Sequence, residues 1–567
     1  MVNVKNLFGM AVMATALVGC SSNDNLAPDG KDNVGKPGEA YASFTINLPT
    51  TTGNGTRGDA DPAQGTPSFD EGTAKEYEVK NGTILIFDKD GKYVTSAKLG
   101  TMNPWTPVKT HGVTTAAITT VQLSGVSVGG NYQALVLLNN DVDATTSKVT
   151  LPTTGETYAE WSKDVSKVNA VKYASTDGIF MANAPKYIDT ESLPTTLVKV
   201  ANVCASREEA QAKAATAVYV ERGLAKVTMQ NFTPGGYTVT EGTYKNDKVE
   251  IKNWQLDVTN KSTFPIHQLG DLSTGFAAIW STDRFYDGTN KSFKRVYWGV
   301  DPNYSGATLQ DLTACKTAFT MIDKDDIAGV TGNDHPQYCL ENTFDLSNMM
   351  QGQTTRVVFK AVYTPKALEG TTEKTFYKIG NNTAIWKEAD LKRQIKTVAV
   401  TAMGITDAAE QAKYVVKLDA TENNISGEAG QHLIKAKNIT YTGEVSNSKV
   451  TKKVVNTINE KLGLSEAAGI ATYLDGVTYY IARIKHFNEL TPWTAGEGYG
   501  TANDKYLGRY GVLRNNWYDL SVTSISGLGY PDVPEVKPTV PDDENEQYIN
   551  VEVKILSWAK RSQQIEL

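Results

Sequence analysis

Residues 83–94 read TILIFDKDGKYV, and this stretch predicts the fold class. Its first half, Thr83–Phe87, is apolar and rich in β-branched residues, as a strand requires. Asp88-Lys89-Asp90-Gly91 then predicts a hairpin turn, and Tyr93-Val94 begin the returning strand. A calcium loop can begin with the same turn residues, but residue 99 is Leu where such a loop needs Glu. A hairpin is the better interpretation.

Short strands separated by turns continue on both sides of this hairpin. Alternating or β-branched runs predict strands at 116–123, 132–138, 217–230, 249–258, 295–300, 355–364, 396–400, 477–487 and 517–524. Short helices are predicted at 207–215, 388–394 and 453–462. The strand–helix alternation that builds parallel sheets is not seen in the sequence. We therefore expect a mainly β protein with two β-sandwich-like domains and a few short helices.

Composition disfavours several classes of protein. The chain has 567 residues, of which 40% are hydrophobic and 21% charged, with a formal net charge of −7. Without a basic excess, nucleic acid is not an expected partner. The five His are scattered, and the sequence has neither a His-Glu-x-x-His nor a Cys-x-x-Cys motif. We therefore expect no enzyme activity, no metal site and no cofactor.

The first twenty residues have the pattern of an export signal. Lys5 precedes an apolar run, Leu7–Val18, which is too short to span a bilayer. The run ends in Leu17-Val18-Gly19-Cys20, and small residues before a Cys are typical of bacterial lipoprotein signals. We expect a signal peptide at 1–19 and lipidation of Cys20; a plain secretory signal is the alternative.

Three other cysteines remain, Cys204, Cys315 and Cys339, and an odd number cannot all pair within one chain. Cys315 and Cys339 can form a disulfide or remain free thiols, and the sequence leaves both open.

Two alternating stretches lie near the two ends of the sequence. In Tyr41–Pro49, Phe44, Ile46 and Leu48 alternate with polar residues, which predicts a half-buried strand followed by a polar run at 50–72. Near the other end, Pro531–Glu546 is rich in Pro and acidic residues and predicts an extended linker. Alternating apolar residues follow it: Ile549, Val551, Val553 and Ile555. This last strand can close its own sheet or pair with another molecule.

The order of these parts resembles the fimbrillins, the type V pilins of the Bacteroidales, among them the major subunit of the short (minor) fimbriae. Leu48-Pro49 leading to Thr56-Arg57-Gly58-Asp59 is similar to the family's processing site. The run Arg514–Val522 is similar to a late strand of its C-terminal domain, and Tyr548–Trp558 is similar to its C-terminal extension.

The resemblance implies a division of the chain and an order of maturation. Residues 20–57 would be a propeptide whose strand, with Phe44, Ile46 and Leu48, is removed after cleavage between Arg57 and Gly58. Residues 58–240 and 241–530 would be transthyretin-like β-sandwich domains, 531–546 a linker, and 547–567 a donor strand that uses Ile549, Val551, Val553 and Ile555. Arg57 can instead be an ordinary loop residue. The residues Phe44, Ile46 and Leu48 can instead belong to a permanent edge strand.

The resemblance also implies a function and partners. The protein would be a fimbrial stalk subunit for adhesion and colonisation, first an outer-membrane lipoprotein and then part of an extracellular fimbrium. Its partners would be outer-membrane lipid, an Arg-specific or trypsin-like surface protease, other copies of itself, accessory anchor and tip pilins, and a host or bacterial surface. Copies would polymerise by donor-strand exchange. The alternative is a surface-anchored, glycan-binding lipoprotein that stays monomeric.

Overall fold

The structure is a computed structural model of the chain. It describes residues 38–49, 73–100, 106–107, 113–141, 146–187, 195–230, 232–272, 294–296, 298–306, 309–322, 327, 335–418, 431–465, 468–486, 506–542 and 549–557. The signal segment 1–19, Cys20, Arg57 and Gly58 lie outside the described residues, so lipidation and processing stay predictions.

The described chain before residue 223 is built mainly from one sheet. Its helices are α1 (Ala74–Tyr77), α2 (Tyr158–Trp161), α3 (Ala170–Tyr173) and α4 (Arg207–Ala212). Its strands are β1 (Glu39–Pro49), β2 (Gly82–Asp88), β3 (Tyr93–Lys98), β4 (Thr106–Pro107), β5 (Val113–Ser124), β6 (Tyr132–Leu138), β7 (Met181–Asn183), β8 (Lys186–Tyr187), β9 (Val198–Lys199) and β10 (Thr216–Arg222). The sheet order is β3-β2-β6-β7-β10-β1-β5-β4, with β9 paired to β6.

The predicted hairpin is confirmed, and β2 is buried on both faces. β2 pairs antiparallel with β3, and Gly91 at the turn has a φ of 78°, which glycine adopts without strain. Ile84 and Ile86 enter a core shared with β1, β5, β6 and β10. Leu85 and Phe87 enter a second core on the opposite face of the sheet. Burial on both faces explains why this strand is an unbroken apolar run.

The chain changes sheet at Gly223, which lies between two strands that the sequence predicted as one. A Cβ at this position would lie 2.3 Å from the Tyr173 hydroxyl, so no larger residue fits without rearrangement. The strands that follow are β11 (Leu224–Met229), β12 (Tyr237–Thr238), β13 (Lys248–Asp257), β14 (Thr259–Asn260), β15 (Lys294–Arg295), β16 (Phe319–Thr320), β17 (Gln337–Leu340), β18 (Arg356–Thr364), β19 (Phe376–Ile379), β20 (Tyr414–Val416), β21 (Gln431–His432), β22 (Ile439–Tyr441), β23 (Ile470–Tyr473), β24 (Val477–Arg483), β25 (Asn516–Ile525) and β26 (Ile549–Ser557). The helices are α5 (Leu312–Ala318), α6 (Glu388–Ala402), α7 (Ala408–Ala412) and α8 (Lys452–Lys461).

Two four-stranded sheets contribute to one core in this second part of the chain. Their orders are β17-β11-β25-β26 and β12-β13-β18-β24. Large side chains from both sheets meet in the core, among them Trp254, Phe359, Tyr480 and Tyr518. The predicted mainly β, sandwich-like fold is confirmed. Of the helices in the described ranges, none combines the length and apolar character that a membrane span requires.

A smaller lobe with its own core is inserted between β18 and β24. It contains α6, α7 and α8, and its core includes Leu391, Ile395 and Ile458. The predicted strand at 396–400 is wrong, because these residues lie inside α6. Leu391, Ile395 and Ala399 recur every four residues and are buried, so the helical period outweighs the β-branched residues. The predicted strand at 295–300 is reduced to the short β15.

Candidate functional site

β1 lies inside its sheet, with a hydrogen-bonded strand on each side. On one side Glu39–Pro49 pairs antiparallel with 124–113 of β5. On the other side Phe44–Asn47 pairs parallel with Thr216–Tyr219 of β10. β1 is therefore an interior strand, and its removal would leave β5 without this partner over the whole ladder and β10 without it over Thr216–Tyr219.

The inward side chains of β1 are part of the core. Phe44 and Ile46 are 0% exposed, as the alternation predicted. Ala40 and Ala42 continue the same buried row, which sequence analysis missed because alanine gives little signal of burial. The side chain of Leu48 lies outside the described residues. Since burying a Phe or Ile side chain stabilises by about 1.5–3 kcal/mol, β1 contributes substantially to this core.

The outward side chains of β1 lie against α4. The Ser43 hydroxyl donates to the Ala210 carbonyl at 2.8 Å and lies 2.8 Å from the Thr120 hydroxyl. The Arg207 guanidinium donates to the Thr120 carbonyl at 2.9 Å and lies 5.8 Å from the Tyr41 ring centre. We call the space that β1 occupies, between β5, β10, the core and α4, the acceptor groove.

The terminal strand β26 pairs with its own chain in this structure. Ile549–Ser557 lies antiparallel to β25, with Tyr518 opposite Ile555 and Val522 opposite Val551. β26 is at the end of its sheet and has β25 as its partner there. The side chains of Ile549, Val551, Val553 and Ile555 lie outside the described residues, and their role as a donor strand stays a prediction.

The proline-rich segment before β26 is docked on the C-terminal sandwich as far as Asp542. The Arg356 guanidinium donates to the Pro534 carbonyl at 2.7 Å, and Val536 is buried. Asp542 is 0% exposed, accepts a hydrogen bond from the Arg483 guanidinium at 2.6 Å and accepts another from the Thr354 hydroxyl. The segment is therefore held on the sandwich up to Asp542, the last described residue before β26.

Glu76, which follows the predicted processing site in sequence, is anchored in the C-terminal sandwich. Its carboxylate lies 2.7 Å from the ammonium of Lys226 in β11, and both side chains are nearly fully buried. Burial disfavours the charged carboxylate, but the Lys226 charge and hydrogen bonds from Lys226, Tyr338 and Thr73 hold the pKa of Glu76 below its usual value. The chain around Glu76 is thus bound independently of β1.

Arg514 and Asn515 join the two parts of the chain. The Arg514 guanidinium donates to the buried Glu341 carboxylate at 3.3 Å and to the Tyr173 hydroxyl at 3.4 Å. The Asn515 side chain accepts a hydrogen bond from the Arg222 backbone at 3.1 Å. These contacts fix the start of β25, and with it the edge on which β26 lies.

The cysteines and a serine motif show no arrangement for chemistry. Cys204, Cys315 and Cys339 are buried free thiols, and burial raises the pKa of Cys315 to about 11 and that of Cys339 to about 12. Gly125–Gly129 has the Gly-x-Ser-x-Gly spacing of a nucleophile elbow, but it lies between strands β5 and β6 rather than before a helix. Within the described ranges no group of His, Cys, Asp or Glu could hold a metal ion.

Comparison with known proteins identifies the C-terminal region. Residues 471–564 match the family described as major fimbrial subunit protein type IV, fimbrillin, C-terminal. The chain carries a fimbrillin C-terminal region. This fimbrillin region includes β24, β25 and β26, so the resemblance seen in Arg514–Val522 and Tyr548–Trp558 is confirmed.

Solved structures similar to this chain are distant. A candidate cell adhesion protein of Parabacteroides distasonis is 10% identical, with 93% of this chain and 99% of that chain covered and a TM-score of 0.36. A fimbrial assembly protein of the same organism is 15% identical, with 41% of this chain and 67% of that chain covered and a TM-score of 0.22. A candidate polysaccharide-binding protein of Bacteroides thetaiotaomicron is 11% identical, with 72% of this chain and 100% of that chain covered and a TM-score of 0.20. At such TM-scores these similarities carry no inference about function. No curated protein matches the sequence.

Proposed function

We propose that this protein is a fimbrial stalk subunit that polymerises by donor-strand exchange after cleavage at Arg57. The position of β1 carries the proposal. β1 is an interior strand, and Arg57 lies in sequence between it and the anchored Glu76. Cleavage after Arg57 would leave β1 attached to the following chain by non-covalent contacts alone, while Glu76 keeps the new N-terminal segment bound.

Loss of β1 would open the acceptor groove. The backbone groups of β5 and β10 that now pair with β1 would lose their partners. Such unpaired edges, beside an uncovered apolar core, favour addition of another strand. The groove would therefore bind a strand that has apolar residues at alternate positions.

The terminal strand of a second copy has that pattern. Ile549, Val551, Val553 and Ile555 alternate with polar residues as the buried residues of β1 do. In its own chain this strand pairs with β25, whereas in the groove it would pair with both β5 and β10. The second ladder and the buried apolar side chains would make dissociation slow, so a polymer would be kinetically stable.

The proposed location follows from the order of these events. Lipid on Cys20 would hold the precursor at the outer membrane, and an Arg-specific or trypsin-like surface protease would separate the subunit from this anchor. Polymerised copies, with accessory anchor and tip pilins, would form an extracellular fimbrium for adhesion and colonisation. A stalk position is favoured over a tip position because the chain has a strand to donate.

A disulfide lock on β1 tests the proposal. The hydroxyls of Ser43 and Thr120 are 2.8 Å apart on directly paired residues, so Ser43→Cys with Thr120→Cys suits a disulfide. After trypsin treatment, we expect the wild-type chain to give ladders on unboiled denaturing gels. The oxidised double variant should stay monomeric after the same cleavage, and a reductant should restore its ladders.

Two controls separate the possible failures. Thr120→Cys alone should polymerise like the wild type, and Arg57→Ala should lose the cut after position 57 and stay monomeric. Ladders from the oxidised double variant would contradict the requirement that β1 leaves. If the wild-type chain is cut after Arg57 and gives monomers only, the monomeric, glycan-binding alternative is favoured.

A further inference from the structure

We infer the register in which two copies of this chain recognise each other: Asn550 of one copy takes the position of Ser43 in the acceptor groove of the next. The inference rests on the proposed strand exchange and specifies its geometry. The apolar residues Ile549, Val551, Val553 and Ile555 then replace Ala42, Phe44, Ile46 and Leu48, in that order.

The two strand sequences align in this register. Residues 39–49 read EAYASFTINLP, and residues 546–556 read EQYINVEVKIL. The first residue is Glu and the third is Tyr in both segments, and apolar residues coincide at the fourth, sixth, eighth and tenth positions. A shift by two residues in either direction keeps the strand's faces but loses the shared tyrosine.

The position of Ser43 discriminates among the registers that keep apolar residues inward. Ser43 is 6% exposed, and its hydroxyl donates to the Ala210 carbonyl. An asparagine amide can donate to that carbonyl and remain uncharged. A shift by two residues one way puts Glu552 at the Ser43 position. Its carboxylate has no proton to donate, so it would be buried beside the Ala210 carbonyl without a hydrogen bond to it. The opposite shift puts Tyr548 there, whose ring is far larger than a serine side chain.

Arg207 provides a second point of recognition. Its guanidinium lies over the ring of Tyr41, two residues before Ser43. In the proposed register the shared tyrosine of the incoming strand takes this position. A cation–π contact of this kind stabilises by about 0.5–1 kcal/mol at an exposed site, so it favours this register over its neighbours.

The direction of the incoming strand follows from the two ladders of β1. The antiparallel ladder with β5 runs from Glu39 to Pro49, whereas the parallel ladder with β10 covers Phe44–Asn47. A reversed strand would turn the longer ladder into parallel pairing, which is slightly less stable per residue. The incoming strand therefore runs in the direction of β1.

Cross-linking between copies tests the register. Ser43 lies directly opposite Thr120, so the inference places Asn550 of the next copy there as well. The full chain with Thr120→Cys and Asn550→Cys is treated with trypsin, oxidised, boiled and run without reductant. We expect a covalent ladder that a reductant collapses to monomers. The matched variant, Thr120→Cys with Glu552→Cys, should cross-link at least tenfold less.

The outcomes distinguish the register from the strand exchange itself. A stronger covalent ladder from the Glu552 variant, or none from either variant while unboiled ladders still form, would overturn the register and leave the exchange standing. If unboiled ladders are missing from the wild-type chain as well, the proposed exchange fails and the register fails with it. Thr120→Cys alone controls for cross-links through the native cysteines Cys204, Cys315 and Cys339.

Discussion

At the scale of single residues, Glu76 determines how firmly the chain after the processing site is held. It faces Lys226 in a buried ion pair at 2.7 Å. Glu76→Gln removes the carboxylate that Lys226 faces, so we expect the free energy of unfolding at pH 7 to fall by about 3–5 kcal/mol. Urea denaturation measures this loss. The exposed Glu78→Gln is the matched control and should change stability by less than about 0.5 kcal/mol.

The same ion pair has a pH dependence of known sign. The pKa of Glu76 in the folded chain is lowered from its ordinary value of 4.5, because the Lys226 charge and hydrogen bonds outweigh the effect of burial. The stabilisation is therefore complete above about pH 4.5 and is lost as the pH falls through the lower folded-state pKa. Wild-type stability should approach that of Glu76→Gln in this acidic range. A constant difference between the two chains down to the lowest pH would contradict the assignment.

Residues that interact with near neighbours in the strand could be predicted from the sequence, whereas contacts between distant segments could not. Phe44 and Ile46 follow the two-residue period of a strand, and the structure places both in the core. No local pattern connects Ser43 with Ala210, or Arg207 with Thr120, because folding alone brings these segments together. The acceptor groove was therefore predicted on its apolar side and missed on the side of α4.

At the scale of elements, the strands were easier to predict than the joins between them. β2, β6 and β18 have long apolar runs, and each lies close to its predicted position. The run at 217–230 has strand-forming residues on both sides of Gly223, so the change of sheet there depends on the distant Tyr173. The proline-rich composition of 531–546 predicted an extended linker, but composition does not reveal that Arg356 and Arg483 bind it.

The docked proline-rich segment should resist proteolysis because of Asp542. This buried carboxylate is bound by Arg483 and Thr354. Asp542→Asn removes the charge that Arg483 faces, so we expect the segment to open more often and proteolysis at 531–548 to accelerate on the order of tenfold. Mass spectrometry of timed digests locates and times the cuts.

The adjacent acidic residue supplies the control for this element. Asp543→Asn makes the same chemical change one position later in the sequence and should leave the digestion rate close to that of the wild type. Equal acceleration by both substitutions would indicate a general effect of negative charge. In that case the ion pair with Arg483 would not be what holds the segment.

At the scale of the whole molecule, donor and acceptor lie on different sheets. β26 belongs to the sheet with β25, and β1 belongs to the sheet with β5 and β10. Under the proposed exchange each cleaved chain would offer one strand and one groove. Such contacts are head-to-tail, and when they do not close into a ring they generate open filaments.

Growth of such a filament should stop at two kinds of variant, each of which has only one half of the proposed interface. The oxidised Ser43→Cys, Thr120→Cys chain has its groove filled and can only donate, while a chain lacking 549–567 can only accept. After trypsin treatment, we expect each alone to stay monomeric and an equimolar mixture to stop at dimers, as size-exclusion chromatography with light scattering would measure. A chain lacking 558–567 retains β26 and should still form long polymers. Species larger than dimers in the mixture would require a contact other than strand exchange, because neither chain has both halves of the proposed interface.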